Sequence, residues 1–108
     1  DEPIFLPIYR KAQEDNIPIF VHSQIVNPIG FERVKDPLLT PVVEYVFDST
    51  MCIGKLLMAD ILREYAGVKF IFAHFGGAIP FLQHRFLLCP LVYLLSFYQN
   101  IFLEVQML

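Results

Sequence analysis

Two apolar runs in this chain, each closed by a histidine, restrict its fold more than any other feature. Ile17-Pro18-Ile19-Phe20-Val21 ends in His22, and Val68-Lys69-Phe70-Ile71-Phe72-Ala73 ends in His74, with Phe75-Gly76-Gly77 directly after it. A strand with almost no polar side chain on either face is covered on both sides, as parallel strands of α/β proteins are. Open and closed β/α folds put their chemistry at the carboxyl ends of such strands. The repeated arrangement therefore points to a metal or catalytic centre on one rim.

The segments between the runs fit that scheme. From Pro3 to Asn16 the residues Ile4, Ile8 and Ala12 recur at four-residue spacing among polar neighbours, which predicts an amphipathic helix. Ser23 to Pro41 contains Pro28, Gly30, Pro37 and Pro41, and is long for a simple connection. Val42 to Tyr65 reads as two helical pieces broken near Asp48-Ser49-Thr50, where a side chain could cap the second piece. Ile53, Leu56, Leu57, Ile61 and Leu62 form its apolar stripe. Ala78 to Arg85 reads as a loop entering the next helix, Phe86 to Tyr98 as a buried helix, and Ile101 to Val105 as a third strand. Helix and strand alternate throughout, which implies parallel crossovers and an α/β fold.

Composition sets the scale of the object. Of 108 residues 56% are hydrophobic and 18% charged, richer than a small isolated domain requires. Neither end reads as a natural boundary, so the chain is expected to be a piece of a larger core. The net charge is -3, from eight basic and eleven acidic residues, and no basic cluster tracks a phosphate backbone. Nucleic acid is not an expected partner. No apolar stretch approaches the roughly 20 residues of a spanning helix, so neither is a membrane. The two cysteines, Cys52 and Cys89, lie far apart in apolar surroundings, which suits reduced thiols and a cytoplasmic setting.

Two imidazoles on one rim suit a divalent metal, zinc before others, although such sites usually need at least three protein ligands. His84 reads as a surface histidine. Gly76-Gly77 lacks the third spaced glycine of a dinucleotide fold and the lysine of a nucleotide loop, so its use is a close backbone approach. Arg85 could clamp a carboxylate. Asp48 reads as a cap, and Glu104 as a carboxylate in a strand-like run that needs a partner. Ser23 lacks the G-x-S-x-G elbow, and an adjacent pair in extended chain points opposite ways, so serine hydrolysis is not expected.

At these residues the sequence resembles a known family. Pro18-Ile19-Phe20-Val21-His22, and His74 within A-H-F-G-G-A-I-P-F-L-Q-H-R, are similar to the amidohydrolase-related family, which includes aminocarboxymuconate-semialdehyde decarboxylase and the resorcylate-type non-oxidative decarboxylases. The resemblance runs from Pro7 to Asn100. It implies the central portion of a (β/α)₈ barrel, about three of eight strands, with parallel strands around a mononuclear divalent metal. On that resemblance His22 matches a metal ligand, His74 a residue of acid/base chemistry, and Arg85 an arginine that organises the site, including across a homodimer. The family's paired first-strand histidines and late aspartate have no counterpart, and Ser23-Gln24 and Glu104-Val105 depart from its usual residues.

The resulting expectation is a metal-dependent hydrolase or decarboxylase acting on a small carboxylated, aromatic or muconate-like substrate, with His22 on the metal, His74 moving a proton and Arg85 holding a carboxylate. The alternatives are a catalytically inactive truncated barrel that acts through packing with a partner chain, and a flavodoxin-like module holding an anion at Gly76-Gly77.

Overall fold

A computed structural model describes residues 2–24, 35–87 and 106–107. After a 3₁₀ turn at Pro3–Phe5, helix α1 spans Leu6–Glu14, with a proline in its first turn where no amide partner is lost. Asn16 ends the turn that follows with a φ of 53°, a left-handed conformation asparagine tolerates. The expected face of α1 is corrected. Ile4 and Ile8 are exposed, while Ala12 is buried and Leu6 and Tyr9 pack against the core. Tyr9 sits 5.6 Å from the Tyr65 ring and 5.9 Å from that of Phe70, so this helix docks through its aromatic edge.

Strand β1 is Ile19–Val21. A π-helical turn at Thr40–Glu44 runs without interruption into helix α2, Tyr45–Met58. The break expected near Asp48-Ser49-Thr50 is therefore absent. It falls instead at Ala59 and Asp60, where Asp60 takes a φ of 61° before helix α3, Ile61–Glu64. Strand β2 is Phe70–Phe72, helix α4 is Ile79–Leu87, and strand β3 is Gln106–Met107. The residues from Ala78 to Arg85 thus belong mostly to a helix rather than a loop. The expected strand at Ile101 to Val105, with Glu104, and most of the expected helix at Phe86 to Tyr98, with Cys89, lie outside the described residues.

The strands form one parallel sheet in the order β1-β2-β3. Ile19 faces Phe70, Phe20 faces Ile71, and Val21 faces Phe72. Successive side chains alternate across the sheet, so Ile19, Val21, Phe70 and Phe72 share one side and Phe20 and Ile71 the other. The first side meets the helices. Phe72 is buried at its centre with Leu57, Ile53, Leu56, Ile61, Leu62, Tyr65, Val68 and Ile79. On the other side Phe20 is 57% exposed, so the expectation of strands covered on both faces does not hold for β1, while Ile71 of β2 is partly buried.

The expectation of a (β/α)₈ TIM barrel is corrected as well. The described residues are mainly helical and carry an open sheet. Three strands of two or three residues cannot curl back on themselves, because a barrel filled by its own side chains takes about eight. What the β-α-β order does supply is alignment: β1 and β2 run the same way and end on the same rim.

The stripe on α2 and α3 carries the core's energy. Leu57, 1% exposed, contributes through burial, whereas Ile8 stands 56% exposed on α1. Leu57→Ala is expected to cost about 2–5 kcal/mol, and Ile8→Ala within roughly 0.5 kcal/mol. Urea denaturation of both variants of the full chain checks the pair; equal losses would restore Ile8 to the core face.

Candidate active site

The parallel register brings the two histidines together. Val21 pairs with Phe72, and the Ala73 amide still donates to the Val21 carbonyl at 3.0 Å, so His22 leaves β1 beside the end of β2. The imidazole rings of His22 and His74 lie 4.8 Å apart at 71°. Tyr45, the first residue of α2, completes the group at 5.5 Å from His74 and 6.2 Å from His22.

His74 stands there because the chain bends left-handed after β2. His74, Phe75, Gly76 and Gly77 have φ values of 55°, 54°, 70° and 66° in succession. For the first two, which carry side chains, this conformation costs energy that neighbouring contacts must offset. Those contacts come from α2. The Ala78 amide donates to Thr50 Oγ1 at 2.7 Å, and that hydroxyl donates to the Val46 carbonyl at 2.7 Å. A Cβ on Gly77 would lie 2.3 Å from Thr50 Oγ1 and 2.4 Å from the Val46 carbonyl oxygen. The backbone lies directly on the helix, as the paired glycines suggested.

Behind His74 is a cluster of hydroxyls. Alternation past the end of β1 exposes His22 and buries Ser23, which is 6% exposed. Ser23 donates its hydroxyl hydrogen to the Tyr45 carbonyl at 2.8 Å, and its oxygen lies 2.8 Å from Ser49 Oγ and 3.1 Å from His74 Nδ1. Ser49 Oγ lies 3.1 Å from the same ring nitrogen. Next in the chain, the Gln24 amide donates to Asp48 Oδ2 at 2.7 Å. His22 Nδ1 meets the Ser23 carbonyl at 2.9 Å, and because a carbonyl only accepts, that nitrogen carries the proton.

Burial lowers the His74 pKa below the ordinary 6.5, the nearby His22 lowers it further, and Asp48 opposes both. The ring is accordingly neutral near pH 7 and becomes a comparatively strong acid once protonated. The Cys52 thiol, half-buried in α2, moves the other way: burial first and then Asp48 raise its pKa, which leaves it protonated and inert.

Arg85 and His84 are exposed in the last turn of α4, and neither joins the hydrogen-bonded cluster. The expected zinc or other divalent-metal centre with His22 as ligand is corrected. Among the described residues no group of three or more His, Cys, Asp and Glu side chains is placed to hold a metal ion. His22 and His74 are two nitrogens where about four ligands, at least three from protein, would be needed; two seryl hydroxyls engage His74 at Nδ1, and Asp48 accepts from the Gln24 amide. The donor set of the described residues does not fit the ion.

From sequence, Tyr45 has no role, Ser49 reads only as part of a helix cap, and Ser23 reads as an improbable nucleophile and a departure from the family's usual residues. One signal was available: Tyr45 and Ser49 are four apart and share a helix face, and Ser23 must point away from His22.

No protein-family model matches the chain. The 6-methylsalicylic acid decarboxylase of Penicillium expansum is 30% identical over 81 residues, which cover 75% of this chain and 24% of that protein. The 6-methylsalicylic acid decarboxylase of Aspergillus aculeatus is 27% identical over 81 residues, again 75% of this chain and 24% of the relative. A crystal structure of 2,6-dihydroxybenzoate decarboxylase with 2,6-dihydroxybenzoate matches with a TM-score of 0.65 at 18% identity, over 78% of this chain and 26% of that one.

Each of the three is named a decarboxylase. The chain spans about a quarter of the length of these relatives. They correct the earlier resemblance. The sequence aligns with proteins named 6-methylsalicylic acid decarboxylase and the fold with one named 2,6-dihydroxybenzoate decarboxylase, and among the described residues no metal site supports the amidohydrolase reading. No helix of the described residues is long and apolar enough to cross a membrane.

The left-handed turn is the part of the site most exposed to substitution. Gly77→Ala drives a methyl group into helix backbone and is expected to cost more than about 3 kcal/mol. At Gly76 an added Cβ would meet only Ile53 Cδ1 at 3.7 Å, so Gly76→Ala carries the conformational cost alone, about 1–2 kcal/mol. Thermal denaturation that ranks them in the opposite order would contradict this docking.

Proposed function

We propose that this chain forms part of the active site of a non-oxidative decarboxylase whose substrate is a small aromatic carboxylic acid bearing a ring hydroxyl. The observation that carries the reading is the His22–His74 pair, 4.8 Å apart at the strand ends beside Tyr45, with His74 backed by hydroxyls and biased towards the neutral form. The names of the similar proteins support the substrate class.

Aromatic decarboxylation without an oxidant is a proton exchange at carbon. His74 takes up a proton from the substrate's hydroxyl or from water and delivers it to the ring carbon that bears the carboxylate. Electron density from the phenolate oxygen supports that addition. The carbon–carbon bond to the carboxylate then breaks, its electron pair restores the aromatic ring, and carbon dioxide leaves. One proton enters and one carbon dioxide departs. An imidazolium with a lowered pKa suits the first step, since proton transfer to carbon favours a stronger acid. We assign His22, exposed and with its Nε2 turned from the Ser23 carbonyl, the role of hydrogen-bonding the bound acid. Arg85 is assigned the attraction of its negative charge. A homodimer, in which the partner's surface adds to this rim, and a cytoplasmic setting compatible with the free Cys52 thiol complete the proposal.

In the full chain His74→Asn is expected to lower kcat about 10²–10⁴-fold with a much smaller change in KM. Steady-state carbon dioxide release from hydroxybenzoates checks this. Turnover close to that of the unsubstituted protein would remove His74 from the proton's path.

A further inference from the structure

We propose that Ser23 is a positioning residue that holds His74 in the tautomer with hydrogen on Nδ1, so that Nε2 is the atom that accepts and delivers the proton. The inference rests on the reading of His74 as the proton carrier. Its geometric part follows from counting hydrogens in the cluster.

Ser23 has one hydroxyl hydrogen, and the Tyr45 carbonyl, 2.8 Å away, can only accept it. Towards His74 Nδ1 at 3.1 Å, Ser23 therefore presents lone pairs. Ser49 also has one hydrogen, with two neighbours in the cluster: Ser23 Oγ at 2.8 Å and His74 Nδ1 at 3.1 Å. If Nδ1 carried no hydrogen, Ser49 could serve one of these contacts, and the Ser23–His74 contact would set lone pair against lone pair at the buried Ser23 hydroxyl. With hydrogen on Nδ1, Ser49 donates to Ser23, and Nδ1–H is shared between two hydroxyl oxygens at the same 3.1 Å. Such three-centre bonds are ordinary in proteins. Every contact then has a donor and an acceptor, as a buried polar network requires.

The second ring nitrogen is left as the lone pair of the neutral imidazole, and no hydrogen bond engages it among the described residues. Fixing one nitrogen by its partner so that the other is free for chemistry is how histidine sites are tuned. Ser23 and Ser49 differ in importance. Removing Ser49 leaves Ser23 still presenting only lone pairs to Nδ1. Removing Ser23 frees the Ser49 hydrogen to donate to Nδ1 and lifts the constraint.

The test is a long-range proton–nitrogen NMR correlation on the full chain labelled with ¹⁵N-histidine, at a pH where His74 is neutral and with its signals assigned by their loss in His74→Asn. The expected spectrum shows Nδ1 protonated and Nε2 bare, unchanged in Ser49→Ala and retained in Ser23→Thr. In Ser23→Ala a mixture of tautomers is expected, and for an even mixture kcat falls about twofold with KM less affected. A wild-type ring protonated on Nε2, or a Ser23→Ala spectrum identical to wild type, would overturn the proposal. If Ser23→Ala does not fold, the wild-type and Ser49→Ala spectra decide it. The tautomer is read without turnover, so the expected spectrum in a protein that releases no carbon dioxide would support the positioning role and sink the decarboxylase reading alone.

Discussion

Everything at the rim depends on the contact between the left-handed turn after β2 and the second turn of α2. Gly77 lies on the helix backbone with no room for a side chain, and Thr50 ties the Ala78 amide to the Val46 carbonyl. That docking offsets the cost of holding His74 and Phe75 at positive φ. One turn of the same helix also supplies Tyr45 and Ser49, so a single element sets the ring's aromatic neighbour and a hydrogen-bond partner. Strain in the loop and order in the site are two sides of one interaction.

Part of this was legible in the residues. Two apolar runs ending in histidine implied parallel strands sharing a rim, and the structure pairs Ile19 with Phe70 and sets the rings 4.8 Å apart. The glycine pair implied close backbone approach. The α2–α3 stripe from Ile53 to Leu62 is the buried core. What failed did so for identifiable reasons. Asp48, Ser49 and Thr50 have the chemistry of helix caps, yet all three turn sideways from an unbroken helix: to the Gln24 amide, to the Ser23–His74 cluster, and to the docked loop. Local sequence cannot distinguish a side chain that caps its own helix from one that serves a neighbour. The four-residue spacing of Ile4 and Ile8 misled similarly, because Leu6, Tyr9 and Ala12 mark another face of the same helix and the aromatic partner at Tyr65 decided between them.

The larger corrections concern closure and metal. A pattern of β/α alternation specifies parallel pairing but not the number of strands that close a sheet, and the strands described here form an open one. Two histidines at strand ends are compatible with a metal and equally with an acid/base pair. Among the described residues, two seryl hydroxyls engage His74 at Nδ1 and no group of three His, Cys, Asp or Glu side chains is placed for a metal ion. Proteins similar to this chain in sequence and in fold are named for decarboxylation of aromatic acids, a reaction for which a proton carrier facing carbon is the central requirement.

The most direct measurement of that requirement is the position of the incoming hydrogen. The full chain would be incubated with a hydroxybenzoate in deuterium oxide and the product examined by mass spectrometry and proton NMR. The account predicts one deuterium per molecule of product, on the ring carbon that lost the carboxylate, with carbon dioxide released in equal amount. Product without deuterium at that carbon, or an unchanged substrate across the hydroxybenzoates, would contradict it.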